Sequence, residues 1–294
     1  MVEWKNDLGL EARMILTMFL LAAVYIFFLA FLSSVMHASV EFMLWFIALF
    51  MGAQYYYSDR LVLWTTNAKV ISETEAPGLH ETITRLCIIS DLPKPTIAIV
   101  DTSMPNAFAT GRGYKSAVIA VTTGLLDMLD QGELEAVLAH ELSHVKNRDM
   151  AILTISSFIS TLALYVVRYS FYIGSFGSNR RNSNGALIIV WIISIIVWII
   201  SFVLIRALSR YREFAADRGA AIITGEPSNM ISALRKISGT MAKIPTEDMR
   251  KMEGMNAFFI IPAVSDSLMN LTSTHPSTEK RIAALEKIQR DIEF

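Results

Sequence analysis

The chain has 294 residues, enough for one large or two small domains; 53% are hydrophobic and only 18% charged. An average soluble domain carries about 45–50% apolar and about 25% charged residues, so an ordinary soluble protein and a disordered chain are both excluded. The net charge of −1 gives no footprint for nucleic acid, and the single cysteine excludes an intrachain disulfide.

The apolar excess lies in four runs free of Asp, Glu, Lys and Arg, at 14–40, 42–58, 150–167 and 185–205. A bilayer core about 30 Å thick needs about 20 apolar residues of helix. The first run is too long for a cleaved signal, whose apolar part is about 7–15 residues. It predicts a retained membrane helix over about 14–35. A short turn with His37 and Glu41 leads to a second helix, 42–58, so the two form a hairpin. A helix follows over 76–90, with Leu79, Ile83, Leu86 and Cys87 at helical spacing. Cys87 reads as an inert core thiol, and His80 on this helix and His37 at the membrane turn have no partner at ligand spacing.

Pro93 and Pro95 end that helix. Ile- and Val-rich strands are predicted over 97–100 and 117–121, joined by a linker, 101–116. Asp130 and Glu133 have capping-box spacing and open a helix. It is expected to run on through His144 into the third apolar run. A Gly/Ser/Asn-rich turn, 174–185, precedes the fourth run, which leads directly into a helix with Glu213 and Asp217. Ser228 is read as the cap of a helix over 229–241. The stretch 243–273 has little periodicity, and its methionines suit an irregular, adaptable contact surface. An amphipathic helix over 278–292 closes the chain.

The expected fold is mainly α and membrane-bound, with a small β-sheet and about four transmembrane helices. The organisation is a hairpin at 14–58, a polar part at 59–149, a second hairpin at 150–205 and a second polar part at 206–294. Ten Lys and Arg lie near helix ends on the side of the polar parts and both termini, against three on the other side. The polar parts and termini are therefore expected in the cytoplasm, in a multi-pass protein of the cell membrane in contact with lipid. Nothing in the sequence fixes an oligomeric state.

The chemistry centres on His140-Glu141-Leu142-Ser143-His144. With five His and sixteen Glu in the chain, chance yields about 0.005 copies of His-Glu-x-x-His. Residues i and i+4 share a helix face, so both imidazoles reach one ion. Neutral histidine suits Zn²⁺. Glu141, rotated about 100° around the helix, can take a proton from water beside the metal. A catalytic zinc needs a third protein ligand, and the candidates are carboxylates and His275. Glu213 and Asp217, also i and i+4, sit just after one membrane helix as the His pair sits just before another. Antiparallel packing of those helices would bring both motifs to one level. Glu213 would then complete the ligand set, and Asp217 would accept a hydrogen bond from a ligand imidazole. A surface helix, with these carboxylates paired to Arg210, Arg212 or Arg218, fits the spacing equally well.

At these residues the chain resembles the HtpX-type membrane metalloproteases, in the same group as the CAAX prenyl proteases. The His140–His144 and Glu213-Phe-x-Ala-Asp217 motifs carry the resemblance. So do Asn106-Ala107-Phe108-Ala109-Thr110-Gly111 and Thr274-His275-Pro276-Ser277-Thr278-Glu279-Lys280-Arg281-Ile282, in which Ser277 replaces the family's usual proline. The resemblance implies a zincin-like domain holding one Zn²⁺ per chain on His140, His144 and Glu213. It implies cleavage of polypeptides on the cytoplasmic side, in quality control of misfolded or membrane-embedded substrates. Asn106, Ala107, Phe108 and Ala109 would bind an extended substrate at a strand edge, where an ordinary edge strand is the simpler alternative. His275 and Arg281 are candidate donors to the oxyanion, or structural hydrogen-bonding groups. A prenyl-protein protease would need more membrane helices than four apolar runs provide. A non-proteolytic chaperone or scaffold would not need Glu141.

Overall fold

The computed structural model describes residues 8–36, 62–111, 113–176, 184–241 and 275–293, with scattered positions between 41 and 56. Its helices and strands, in chain order, are α1 (Leu8–Met36), β1 (Lys69–Val70), α2 (Pro77–Ser90), β2 (Thr96–Val100), β3 (Ala107–Thr110), β4 (Val118–Thr122), α3 (Thr123–Met128), α4 (Gln131–Lys146), α5 (Asp149–Phe176), α6 (Asn184–Thr224), α7 (Pro227–Met241) and α8 (Thr278–Glu293).

The four strands form one sheet in the order β1-β2-β4-β3. β2 and β4 run parallel, and the two outer strands pair antiparallel to them. Both faces of the central strands are buried, which suits their unbroken Ile/Val/Ala composition. Ile97, Ile119 and Val121 point into the main core with Leu134, Val137, Leu138 and Leu142 of α4. Ala98, Val100, Val118 and Ala120 form a second layer with Phe108 and Val62. Ala107 and Ala109 present only methyl groups on the α4 side.

β3 lies inside the stretch expected to be a linker, and β1 has only two residues, too few for any periodicity. Gly111 ends β3 at φ +126°, where a Cβ would meet Ser116 O at 2.4 Å. α4 opens on the expected capping box: Asp130 accepts from Glu133 N, and Glu133 reaches back to Asp130 N. Glu133 also accepts from Ser232 and Lys236, fixing α7 on α4.

The expected continuous helix through His144 breaks. Asn147 N bonds Ser143 O, Arg148 adopts a left-handed φ of 55°, and a new helix starts at Asp149. One left-handed residue ends the ladder and turns the chain under the preceding helix. The cap expected at Ser228 is also displaced: Pro227 opens α7, so Ser228 lies within it. Ser277 precedes α8, its backbone carbonyl accepting from Lys280 N and Arg281 N.

Among the described residues two helices, over Leu8–Ser34 and Ile188–Thr224, are long and apolar enough to cross a membrane. The expected run 42–58 lies largely outside the described residues, as does 243–273; the third run forms α5. Phe28 and Leu32 of α1, Ala163 of α5, and Val190 and Val197 of α6 pack together. α6 has 41 residues, about 60 Å of helix. That is twice the bilayer core, so its second half stands beyond the apolar run and brings Ala216, Ala220 and Ala221 into a buried position. We expect Gly111→Ala to cost about 1–3 kcal/mol of stability in urea unfolding, because both the φ and the Ser116 carbonyl oppose a side chain. Unchanged stability would contradict that account.

Candidate metal centre

His140 and His144 project from successive turns of α4, their rings perpendicular and 4.7 Å apart. Their Nε2 atoms stand 3.1 Å from each other. Glu213, from α6, places Oε2 at 3.6 Å from His140 Nε2 and Oε1 at 3.5 Å from His144 Nε2. Ligand atoms held about 2.0–2.1 Å from a tetrahedral zinc are separated by about 3.3–3.4 Å. Two imidazoles and a carboxylate with these edges therefore fit such an ion, and one donor atom of each lies within 4.8 Å of the others.

Behind this triangle stand charged pairs. His140 Nδ1 is 3.0 Å from Asp217 Oδ1. Arg281, fully buried, grips Asp217 with two bonds, Nε to Oδ2 at 2.8 Å and Nη2 to Oδ1 at 2.6 Å, and its Nη1 lies 3.3 Å from Glu213. His144 Nδ1 is 2.6 Å from Asp149 Oδ2. Asp149 pairs with Arg212, which also donates to Asn147 O at 3.0 Å. His275 brings Nδ1 to 3.1 Å from Glu213 Oε2.

The structure thus brings together His140, Glu141, His144, Glu213, Asp217, His275 and Arg281, and buries Glu213 and Asp217. Glu213 and Asp217 face the imidazoles and Arg281 in the interior instead of standing on an exposed helix face. Arg281 takes the carboxylate-pairing option. Asp149 and Arg212 were missed as site neighbours; the only signal was a charged pair at the mouths of two apolar runs. His80 lies elsewhere, its Nε2 3.2 Å from Ile71 O. Cys87 is buried, and burial pushes its thiol up to about 11.

Burial governs the acid–base character. It opposes the charged form of His140, yet Asp217 and Glu213 outweigh it and lift the imidazole to about 9. His144 is lowered by burial and by its neighbour His140. Burial raises the Glu141 carboxyl, opposed by the two histidines.

The strand edge meets the centre at Glu141. Thr122 N donates to Asn106 O, so Asn106, Phe108 and Thr110 direct their backbone groups toward β4. By alternation Ala107 and Ala109 direct theirs to the outer edge, where the Ala109 N–H donates to Glu141. A cleft of about 20 Å³ beside it is lined by Ala109, Thr110, Gly111, His144 and Arg148.

This architecture, a membrane-anchored sheet and helix pair with a His-Glu-x-x-His centre, defines the class of metallopeptidases. The Peptidase family M48 description matches residues 73–289. The chain belongs to that family and is a membrane-bound metallopeptidase. It is 65% identical over 291 residues to "Protease HtpX homolog 2" of Methanosarcina acetivorans, covering 99% of each chain. It is 56% identical to "Protease HtpX homolog" of Moorella thermoacetica, covering 98% of this chain and 97% of the relative. The crystal structure of S. mikatae Ste24p matches with a TM-score of 0.53 at 19% identity, over 95% of this chain and 67% of that one. That likeness speaks for the fold.

A folded-state pKa above the unfolded value stabilises fully below the unfolded value and is lost as pH rises through the folded one. For His140 that window is from about 6.5 to about 9. With chelator present, the unfolding temperature of wild type should fall relative to His140→Gln across that range. An unchanging difference would contradict the coupling of His140 to Asp217 and Glu213.

Proposed function

We propose that the chain is a zinc endopeptidase, holding one Zn²⁺ on His140, His144 and Glu213 and cutting polypeptides at the cytoplasmic face of the cell membrane. The observation that carries this reading is the close approach of two imidazole Nε2 atoms and the two oxygens of one carboxylate, 3.1 to 3.6 Å between neighbours, with Glu141 on the same helix as the imidazoles. Zinc bound there would polarise the scissile carbonyl and acidify a water. Glu141 takes that water's proton and passes it to the leaving amine. Burial raises its pKa, which strengthens it as a base. The Ala109 N–H holds its carboxylate.

An extended substrate pairs with the outer edge of β3, using the backbone of Ala107 and the carbonyl of Ala109, whose N–H is kept by Glu141, while Asn106 and Phe108 fix the strand from its inner side. The scissile bond then lies alongside Glu141. Asp217 keeps His140 in one tautomer, with Nε2 directed to the metal. Arg281 holds Asp217 and Glu213 in place, and His275, beside Glu213, donates to the oxyanion. The protease is divided between 59–149 and 206–294, with membrane hairpins at 14–58 and 150–205 that touch lipid. Substrates are misfolded or membrane-embedded proteins, which the membrane helices keep near the site.

Glu141→Gln removes the base while keeping side-chain size. It should bind zinc like wild type and cleave casein about 10²–10⁴-fold more slowly. Normal turnover with zinc bound would sink the mechanism. Orientation has its own test, with Cys87 replaced. A cysteine at Ser183 should react with an impermeant thiol reagent added outside whole cells, and one at Ser103 should not; the reverse pattern would invert the topology.

A further inference from the structure

Each candidate ligand imidazole has its own carboxylate, and each carboxylate its own arginine. His140 is backed by Asp217 and Arg281, which meet from α6 and α8. His144 is backed by Asp149, and Asp149 by Arg212. The second chain differs from the first in where it is anchored. Asp149 is the first residue of α5, and Arg212 lies on α6 directly before Glu213. The pair is therefore a contact between two helices that continue into the third and fourth apolar runs. Both side chains are 2% exposed.

We propose that Asp149 and Arg212 are positioning residues that set the ring of His144 for metal binding, tying one side of the centre to the junction of α5 and α6. The inference rests on the metal-site reading above. A 2.6 Å contact from His144 Nδ1 to Asp149 fixes the proton on Nδ1 and leaves the Nε2 lone pair aimed at the position faced by His140 Nε2 and Glu213. Asp149 can hold that ring only if it is itself held. Arg212 does this, and its bond to Asn147 O also clamps the left-handed turn that separates α4 from α5. Arg212 belongs to the same helix as Glu213, so a shift of α6 against α5 moves two of the three donors together. Both charges are buried, so pulling them apart would leave each without its partner, and this opposes that shift.

The test uses Co²⁺ on the full-length, metal-stripped protein in detergent, because the visible bands of Co²⁺ report ligand geometry without any substrate. Asp149→Asn should weaken Co²⁺ binding about 10–100-fold and change the band pattern. Arg212→Gln should weaken it in the same direction. Arg212→Lys should recover part of the loss, since a point charge replaces the fork. The double variant Asp149→Asn/Arg212→Gln should be no weaker than Asp149→Asn alone, because both act through one contact. A purely structural pair would lower the unfolding temperature of the metal-free protein and leave affinity and bands of the folded fraction as in wild type; that result overturns the inference. If Asp149→Asn does not fold, Arg212→Gln carries the test by itself, and wild-type affinity and bands in it overturn the inference. His144→Ala separates the two levels. If it binds Co²⁺ as wild type does, the metal-site reading itself fails. If it loses Co²⁺ while Asp149→Asn does not, only the positioning role fails.

Discussion

Charge buried away from water needs a partner, and this requirement organises the centre. Glu141, Glu213, Asp217, Asp149, Arg212 and Arg281 are each at most 5% exposed. A lone buried ion costs several kcal/mol after relaxation, and a pair repays this only with good geometry. The arginines meet their carboxylates closely, Arg281 by two bonds to Asp217. The carboxylates in turn face the imidazoles. The result is a set of donors directed inward by partners on their outer sides. A divalent cation among two imidazoles and a carboxylate complements this arrangement, because its charge replaces the proton that His140 otherwise keeps between Asp217 and Glu213.

The membrane helices make that arrangement reachable. α4 ends where α5 begins, and α6 runs beyond its apolar half alongside α4. Two carboxylates separated from the histidines by some seventy residues are thereby brought to the same level. The sheet contributes from the other side. Its small residues let β3 lie close to α4, and the outer edge of β3 meets Glu141 through the Ala109 N–H. Rigidity here comes from the Ile/Val/Ala strands packed on both faces.

Much of the centre was legible because its residues sit at helical spacing. His140 and His144 share a face by arithmetic alone, and so do Glu213 and Asp217. The spacing could not choose between a metal ligand and a surface ion pair for Glu213; the family resemblance and then burial separated them. The capping box at Asp130 was legible for the same local reason. What the sequence hid was tertiary or conformational. Arg148 in a left-handed turn carries no sequence signal, since a non-glycine residue adopts it only because Asn147, Asp149 and Arg212 hold the turn. The Asp149–Arg212 pair joins residues far apart in sequence. β3 looked like linker because Ala-Phe-Ala-Thr has weak strand character on its own and is a strand by virtue of pairing with β4. The count of membrane spans was legible only as apolar length, which by itself cannot distinguish a crossing helix from one packed on its neighbours.

The central claim is that two imidazoles and one carboxylate hold the metal. X-ray absorption of the zinc-loaded protein tests it most directly. The account predicts only nitrogen and oxygen neighbours at about 2.0–2.1 Å, with the outer-shell scattering of two imidazole rings that falls to one in His144→Ala. A sulfur neighbour at about 2.3 Å, which would point to Cys87, or a spectrum unchanged in His144→Ala, would contradict it.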